Sequence, residues 1–403
     1  MDDKKGTSFI HAFGLCRINL TVLGIWPTLR SSKRDETAAL FRLVLSLTII
    51  ILFINTVQTI KLFIMWGDLD AMTDIISTAN LPIGLMVFKT FVFLYHKEAL
   101  VPLLSFVQTD WSNFKTVSEA ANMWSNALAA RKISLLCVVI GWVTVNCHLA
   151  IRIGQELRFM SGKNGLTRLP FFDSYFPYDY TPSPVYEITF VIQYIATMLA
   201  TFGYSGLYSL FVALMLHLCG QFANLRDRLY TVTQKKAGVT FQQRLGYIVM
   251  RHQCLYNFAQ VVEKMFNLMF LAEILGCTIQ FCMQGFFLLT LSSKEGMGLP
   301  ILHIMFMVVY VAHIGTHLFI CCYVAEKLQD ESVSIAKAAY ECQWYHLSPK
   351  DVMLLIMIIN RAKDPIEMTA GKFCTFSLSL YAQIFKNSGG YLSMLLAMRD
   401  KIT

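Results

Sequence analysis

Ser379, Gln383, Asn387, Gly390, Met394 and Ala397 recur near the C-terminus at steps of 4, 4, 3, 4 and 3. That spacing stacks side chains on one face of an α-helix. The face is polar in its first half and becomes narrow and apolar toward its end. Two chemistries fit it. Gln383, Asn387, Gly390, Met394 and Ala397 could line a water-filled path, with Met394 as an apolar constriction that opens or dewets. The same small and polar residues could equally hold neighbouring helices together. Lys386 lies beside the stripe in mid-run, where a charge implies a protein-lined or wet surrounding.

A second constellation suits ligand binding. Ile83, Gly84, Val87 and Phe88 lie on one apolar run, and Val138, Gly141 and Val145 on the next. Tyr194, Met198 and Phe202 follow on a third, and Phe306, Met307 and Tyr310 on a fourth. Small residues leave space between helices, while aromatics and flexible methionines supply adaptable apolar walls. Such a pocket would grip a small volatile apolar compound by dispersion and burial. Ordinary interhelical packing uses the same residue types.

The remaining reactive side chains point away from catalysis. Lys89, near the inner end of its run, reads as a lysine snorkelling to the interface. Glu273 is ionisable inside an apolar run, and the sequence names no partner for it. His313 and His317 stand four apart, a metal-compatible spacing, but no third ligand sits at a matching position, so no metal site is expected. There is no Ser/His/Asp grouping, phosphate-cradling glycine loop or paired carboxylates, so neither an enzyme nor a cofactor is expected. Cys321-Cys322 could be palmitoylated or simply pack.

The elements that carry these residues must cross a membrane. Of the 403 residues, 55% are hydrophobic and 15% charged, against about a quarter charged in soluble domains. Seven runs approach the roughly 20 residues a spanning helix needs. They lie at about 41–65, 72–95, 133–151, 185–217, 265–291, 299–323 and 373–398. The odd count disfavours a transporter built from two inverted halves. The net charge of +8 comes from basic residues in loops without interleaved aromatics, which argues against nucleic acid. With the N-terminus inside, the inner segments hold 23 basic residues and the outer segments 7. That bias predicts a cytoplasmic N-terminus and an extracellular C-terminus.

On this reading the sequon at Asn19 faces inward and is not expected to carry glycan. The first 40 residues are polar with no apolar core, so no cleavable signal peptide is expected. The eleven cysteines show no paired framework and read as packing residues. Eight apolar residues after Asp351 are too few to cross a membrane. They predict a cytoplasmic helix, ended by Pro365 and joined to a segment at about Lys327 to Tyr345 as an assembly layer.

The expected fold is therefore all-α, a polytopic membrane protein with seven transmembrane helices and a short cytoplasmic helical assembly layer. Residues 1–40 form its cytoplasmic N-terminal segment, and 41–326 hold the first six spans with a ligand pocket in their outer halves. Residues 327–371 form the assembly segment, and 372–403 the pore-lining helix with a short extracellular C-terminus.

Three ordered blocks resemble the insect odorant receptor family: the outer loop ending Tyr178-Asp-Tyr-Thr-Pro-Ser-Pro-Val-Tyr186-Glu, the segment Tyr340-Glu-Cys-Gln-Trp344, and the closing stretch from Pro365 to Ala397. The last includes Ala370-Gly371-Lys372-Phe373, Ser377-Leu-Ser379 and Ser388-Gly-Gly-Tyr391. The resemblance implies a heterotetrameric, odorant-gated, non-selective cation channel in the plasma membrane of olfactory sensory neurons, surrounded by lipid. Its partner would be the family's co-receptor, its pore would be the last span, and its gate position would map onto Met394. Spans two, three, four and six would frame the odorant pocket. Gustatory receptors end in a Thr-Tyr…Gln-Phe pattern, whereas this chain has Gly390-Tyr391 and Ala397-Met398. The co-receptor carries a much longer loop than the one at about Leu218 to Lys264, so the resemblance is to the ligand-tuned subunit. The alternatives are a gustatory-type receptor channel and a G-protein-coupled-type chemoreceptor; the charge bias and the lack of the latter's motifs after the third span and in the seventh speak against it.

Overall fold

The apolar runs become helices, and most continue well past the membrane. A computed structural model describes residues 3–27, 32–113, 116–160, 168–234, 238–293 and 301–402. In chain order its helices are α1 (Asp3–Val22), α2 (Lys33–Ile64), α3 (Leu69–Tyr95), α4 (Lys97–Ser112) and α5 (Val117–Met160). There follow α6 (Val185–Tyr230), α7 (Phe241–Ser293), α8 (Ile301–Glu341), α9 (Pro349–Ala362) and α10 (Leu378–Ile402).

By length and composition α2, α3, α5, α6, α7 and α8 each contain a stretch able to cross a membrane. The seventh bundle helix, α10, has 25 residues, enough to cover about 37 Å at 1.5 Å per residue. It begins at Leu378 rather than at Phe373, because Cys374–Thr375 pairs with Thr369–Ala370 as a two-stranded hairpin. Gly371 and Lys372 turn that hairpin with φ of 56° and 64°, a region open to glycine and uncommon for lysine.

Helix α6 sits at the centre. Its most apolar window is 78% buried, as befits a helix that is apolar around its circumference. Two glycines let neighbours approach it. A Cβ on Gly206 would meet Leu20 Cδ2 of α1 at 2.9 Å, and one on Gly203 would collide with the Met86 side chain of α3.

The contact with Leu20 corrects the reading of the first 40 residues as a polar segment without an apolar core. Helix α1 packs against α6, α5 and α4 and buries Phe13, Cys16 and Leu20 completely; Leu23, Ile25 and Trp26, just beyond its end, are buried as well. Phe13, Cys16, Leu20 and Leu23 stand at steps of 3, 4 and 3. One narrow apolar stripe of this kind is diluted when hydropathy is averaged over a span-length window.

The inner loops need a second correction. Helices α5, α6, α7 and α8 have 44, 46, 53 and 41 residues, about twice the span length. The region from Leu218 to Lys264 is mostly helix, broken only between Tyr230 and Phe241. Likewise, the stretch from Lys327 is the continuation of α8 rather than a separate element. Apolar residues such as Met123, Leu225, Leu229, Ile248 and Leu255 are buried in this layer. A polar knot also ties it together. Asp110 of α4 accepts from Arg251 Nη2 of α7 at 2.6 Å and lies 3.0 Å from His217 Nε2 of α6.

Helix α9 forms where the eight-residue apolar run pointed. Ser348 caps its N-terminus by accepting from Asp351 N, and Pro349 opens the first turn. Leu355, Ile358 and Ala362 are buried, while Met353, Ile356 and Met357 are exposed. Cys137, Cys277, Cys282, Cys321 and Cys322 are buried among the helices.

Candidate functional site

Between α3, α5, α6, α7 and α8 lies a cavity of about 100 Å³. A single water needs roughly 10–15 Å³ on the same measure, so the space admits a small organic molecule. Ile83, Gly141, Val145, Phe306 and Tyr310 line it. The other pocket candidates stand elsewhere. Gly84 faces Asn55 of α2, with 3.3 Å between its would-be Cβ and Asn55 Nδ2. Met307 borders a second cavity. Val87, Val138, Met198 and Phe202 are half-buried outside the wall, and Phe88 is exposed. Tyr194 packs edge-on to Phe171 at 5.7 Å.

Several wall residues escaped the sequence reading because they are polar or belong to a loop. Phe171 and Phe172, between α5 and α6, fold inward and are fully buried. Gln193 Oε1 accepts from Phe172 N at 3.2 Å and holds the turn in place. The adjacent aromatic pair, in a loop between two spans, was the available signal. From the helices come Thr144, His148, Thr201, Tyr204, Gln280 and His313. The Tyr310 hydroxyl lies 2.8 Å from both the Ser77 carbonyl and Gln280 Oε1. Ser77 belongs to a π turn of α3 at Ile76–Asn80, a local widening that interrupts the regular ladder.

Beneath the cavity, Lys89 and Glu273 form an ion pair. Lys89 therefore does not snorkel: its side chain is 3% exposed. Its Nζ also donates to Tyr208 Oη at 3.1 Å and sits 4.6 Å from the Tyr204 ring centroid. Tyr204 in turn donates to Glu273 Oε1 at 2.8 Å. A charge in an apolar interior persists where an opposite charge and hydrogen bonds replace its hydration. Here a carboxylate, a phenol and two aromatic faces do so. His313 and His317 stack with ring centroids 4.6 Å apart rather than converging on a common point.

Helix α10 presents two unlike faces. Ile384 and Ser388 are buried, Phe385 stacks on Phe281 of α7 at 4.5 Å, and Leu392 approaches Gly285 of α7. Ser379, Gln383, Lys386, Asn387, Gly390, Met394 and Ala397 are all exposed on the single chain. The stripe therefore does not join helices within this chain. Helix α7 touches both the cavity, through Gln280, and α10, through Phe281 and Gly285.

A bundle of seven long helices, five of them around an aromatic-walled cavity, defines a multi-pass helical membrane protein. The family model described as 7tm Odorant receptor matches residues 70–389, and the chain belongs to that family. Odorant receptor 13a of Drosophila melanogaster is 27% identical over 55% of this chain and 55% of its own length, so the match spans about half of that relative. The odorant receptor coreceptor of Aedes aegypti is 21% identical over 41% of this chain and 33% of its own. The structure of the insect olfactory receptor OR5 from Machilis hrabei in complex with eugenol superposes with a TM-score of 0.82 at 16% identity. It covers 97% of this chain and 99% of that one, and so the two share a fold.

Proposed function

We propose that the chain is a ligand-tuned odorant receptor subunit that binds a small volatile compound in the α3–α8 cavity and gates a non-selective cation channel together with the co-receptor. The observation that carries this reading is the two-sided packing of α7. One side of α7 contributes Gln280 to the cavity, and the other packs Phe281 and Gly285 against α10. A ligand that repositions α7 would move α10 with it.

In the assembled channel, the exposed face of α10 would surround the central path. Gln383 and Asn387 would face water, and Gly390, Met394 and Ala397 would form the narrow apolar end. Helix α9 and the inner part of α8 would contact the co-receptor, where the exposed Met353, Ile356 and Met357 supply an apolar surface. The plasma membrane of olfactory sensory neurons is the location this function requires.

The test is whole-cell recording from cells expressing the chain with and without the co-receptor, exposed to a volatile panel. Currents that need both subunits and at least one volatile support the reading. Stoichiometric uptake of a compound without current, or responses that require a G protein, would overturn it.

A further inference from the structure

The ligand cavity adjoins a second one, of about 190 Å³, and the two differ in chemistry. The inner chamber is walled by aromatic and aliphatic groups such as Ile83, Val145 and Phe172. The outer chamber carries Asp74, Arg152, Gln155 and Gln284. His148, Thr78 and Phe306 belong to both walls and mark the junction.

The bonding of His148 sets which hydrogen-bonding group that junction accepts. Its Nε2 lies 2.9 Å from the Phe171 carbonyl oxygen. A carbonyl only accepts, so Nε2 carries the hydrogen and Nδ1 of the neutral ring is left as a lone-pair acceptor. Arg152 Nε donates to the same carbonyl at 2.9 Å, which fixes the backbone that orients the ring. The ring is also held between Phe172 at 5.0 Å and Phe306 at 5.1 Å. Nδ1 is buried, and among the described residues no group bonds to it. A buried acceptor without a donor costs about 1–3 kcal/mol, so a ligand that supplies a donor recovers that cost.

We propose that His148 is a specificity-determining residue and that the cavity favours alcohols and phenols. The apolar body would occupy the inner chamber, and the hydroxyl would donate to His148 Nδ1 at the junction. This rests on the reading of the cavity as the ligand site. Thr78, the other polar junction residue, already donates its hydroxyl hydrogen to Asp74 Oδ1 at 2.9 Å, whereas His148 Nδ1 has no bond among the described residues.

The experiment uses the full chain co-expressed with the co-receptor and probes matched on one skeleton: 2-phenylethanol, its methyl ether, phenylacetaldehyde and 2-phenylethylamine, with the corresponding hexyl series. The alcohols should evoke half-maximal current at concentrations at least about tenfold below those of the ethers and aldehydes. His148→Phe should erase that ratio while keeping the ether response, and His148→Gln, which retains an acceptor, should restore part of it. If His148→Phe fails to reach the surface, the wild-type ratio and His148→Gln still decide. Equal potency of alcohol and ether, or an unchanged ratio in His148→Phe, overturns the proposal while leaving the cavity as the ligand site. A preference for the amine places recognition at Asp74 and also overturns it. Absence of current with every volatile, at normal surface expression, removes the receptor reading itself.

Discussion

Lys89 of α3 and Glu273 of α7 meet as an ion pair inside the helix bundle, 184 residues apart in the chain. Tyr204, which lines the α3–α8 cavity, donates to that carboxylate. Removing either charge leaves the other buried and uncompensated, which costs about 3–5 kcal/mol in known cases. Lys89→Met and Glu273→Leu should therefore each lower the thermal midpoint sharply and reduce surface expression. The double variant Lys89→Met/Glu273→Leu should recover most of the loss. Midpoint shifts that simply add would show that the two side chains act independently.

Gly206 decides whether α1 can dock. A Cβ there meets Leu20 at 2.9 Å and Asn19 at 3.1 Å, and overpacking of this kind costs about 1–3 kcal/mol. Gly206→Leu should lower the thermal midpoint and expose the N-terminal segment to protease. Gly246→Leu is the control, because nothing stands within 4 Å of that position. Equal stability of the two variants would contradict the packing of α1 on α6.

Asp110 should give the helical layer that it ties together a measurable acid sensitivity. Burial raises its carboxyl, but the hydrogen bond and charge of His217 and the charge of Arg251 together outweigh burial and hold it below the ordinary range. A carboxyl depressed by folding stabilises the folded state above its unfolded pKa of about 3.9. That contribution is lost as pH falls through the lower folded value. The thermal midpoint of detergent-purified protein should fall as pH drops from about 5 to below about 3, and Asp110→Asn should flatten that dependence while lowering the midpoint near neutrality. Identical slopes for the two proteins would remove Asp110 from the acid response.

The spans were legible because each is a long apolar run, a signal that needs no knowledge of neighbours. Contacts between helices were not. Ile83, Gly141, Val145, Phe306 and Tyr310 were singled out by size and polarity and do border the cavity. His148, Tyr204, Gln280 and His313 border it too, but their polarity concealed them, since their partners lie on other elements of the fold. Lys89 resembled a snorkelling lysine for the same reason: Glu273 is adjacent only once α3 and α7 are in register. Helix α1 was missed because Phe13, Cys16, Leu20 and Leu23 form one stripe on an otherwise polar segment. On α10, by contrast, the periodicity alone grouped six residues, from Ser379 to Ala397, that the fold leaves exposed.

The most direct test of a conducting role for that face is cysteine substitution along α10, one position at a time, in cells that also express the co-receptor. A charged, membrane-impermeant thiol reagent is applied while ligand-evoked current is recorded, with the parent protein as the control for native cysteines. Cysteines at Gln383, Asn387, Gly390 and Met394, all exposed, should react and change the current or its ion selectivity, while those at Ile384 and Ser388, both buried, should not. Modification confined to the buried face, or none at the exposed positions in open channels, would contradict the account.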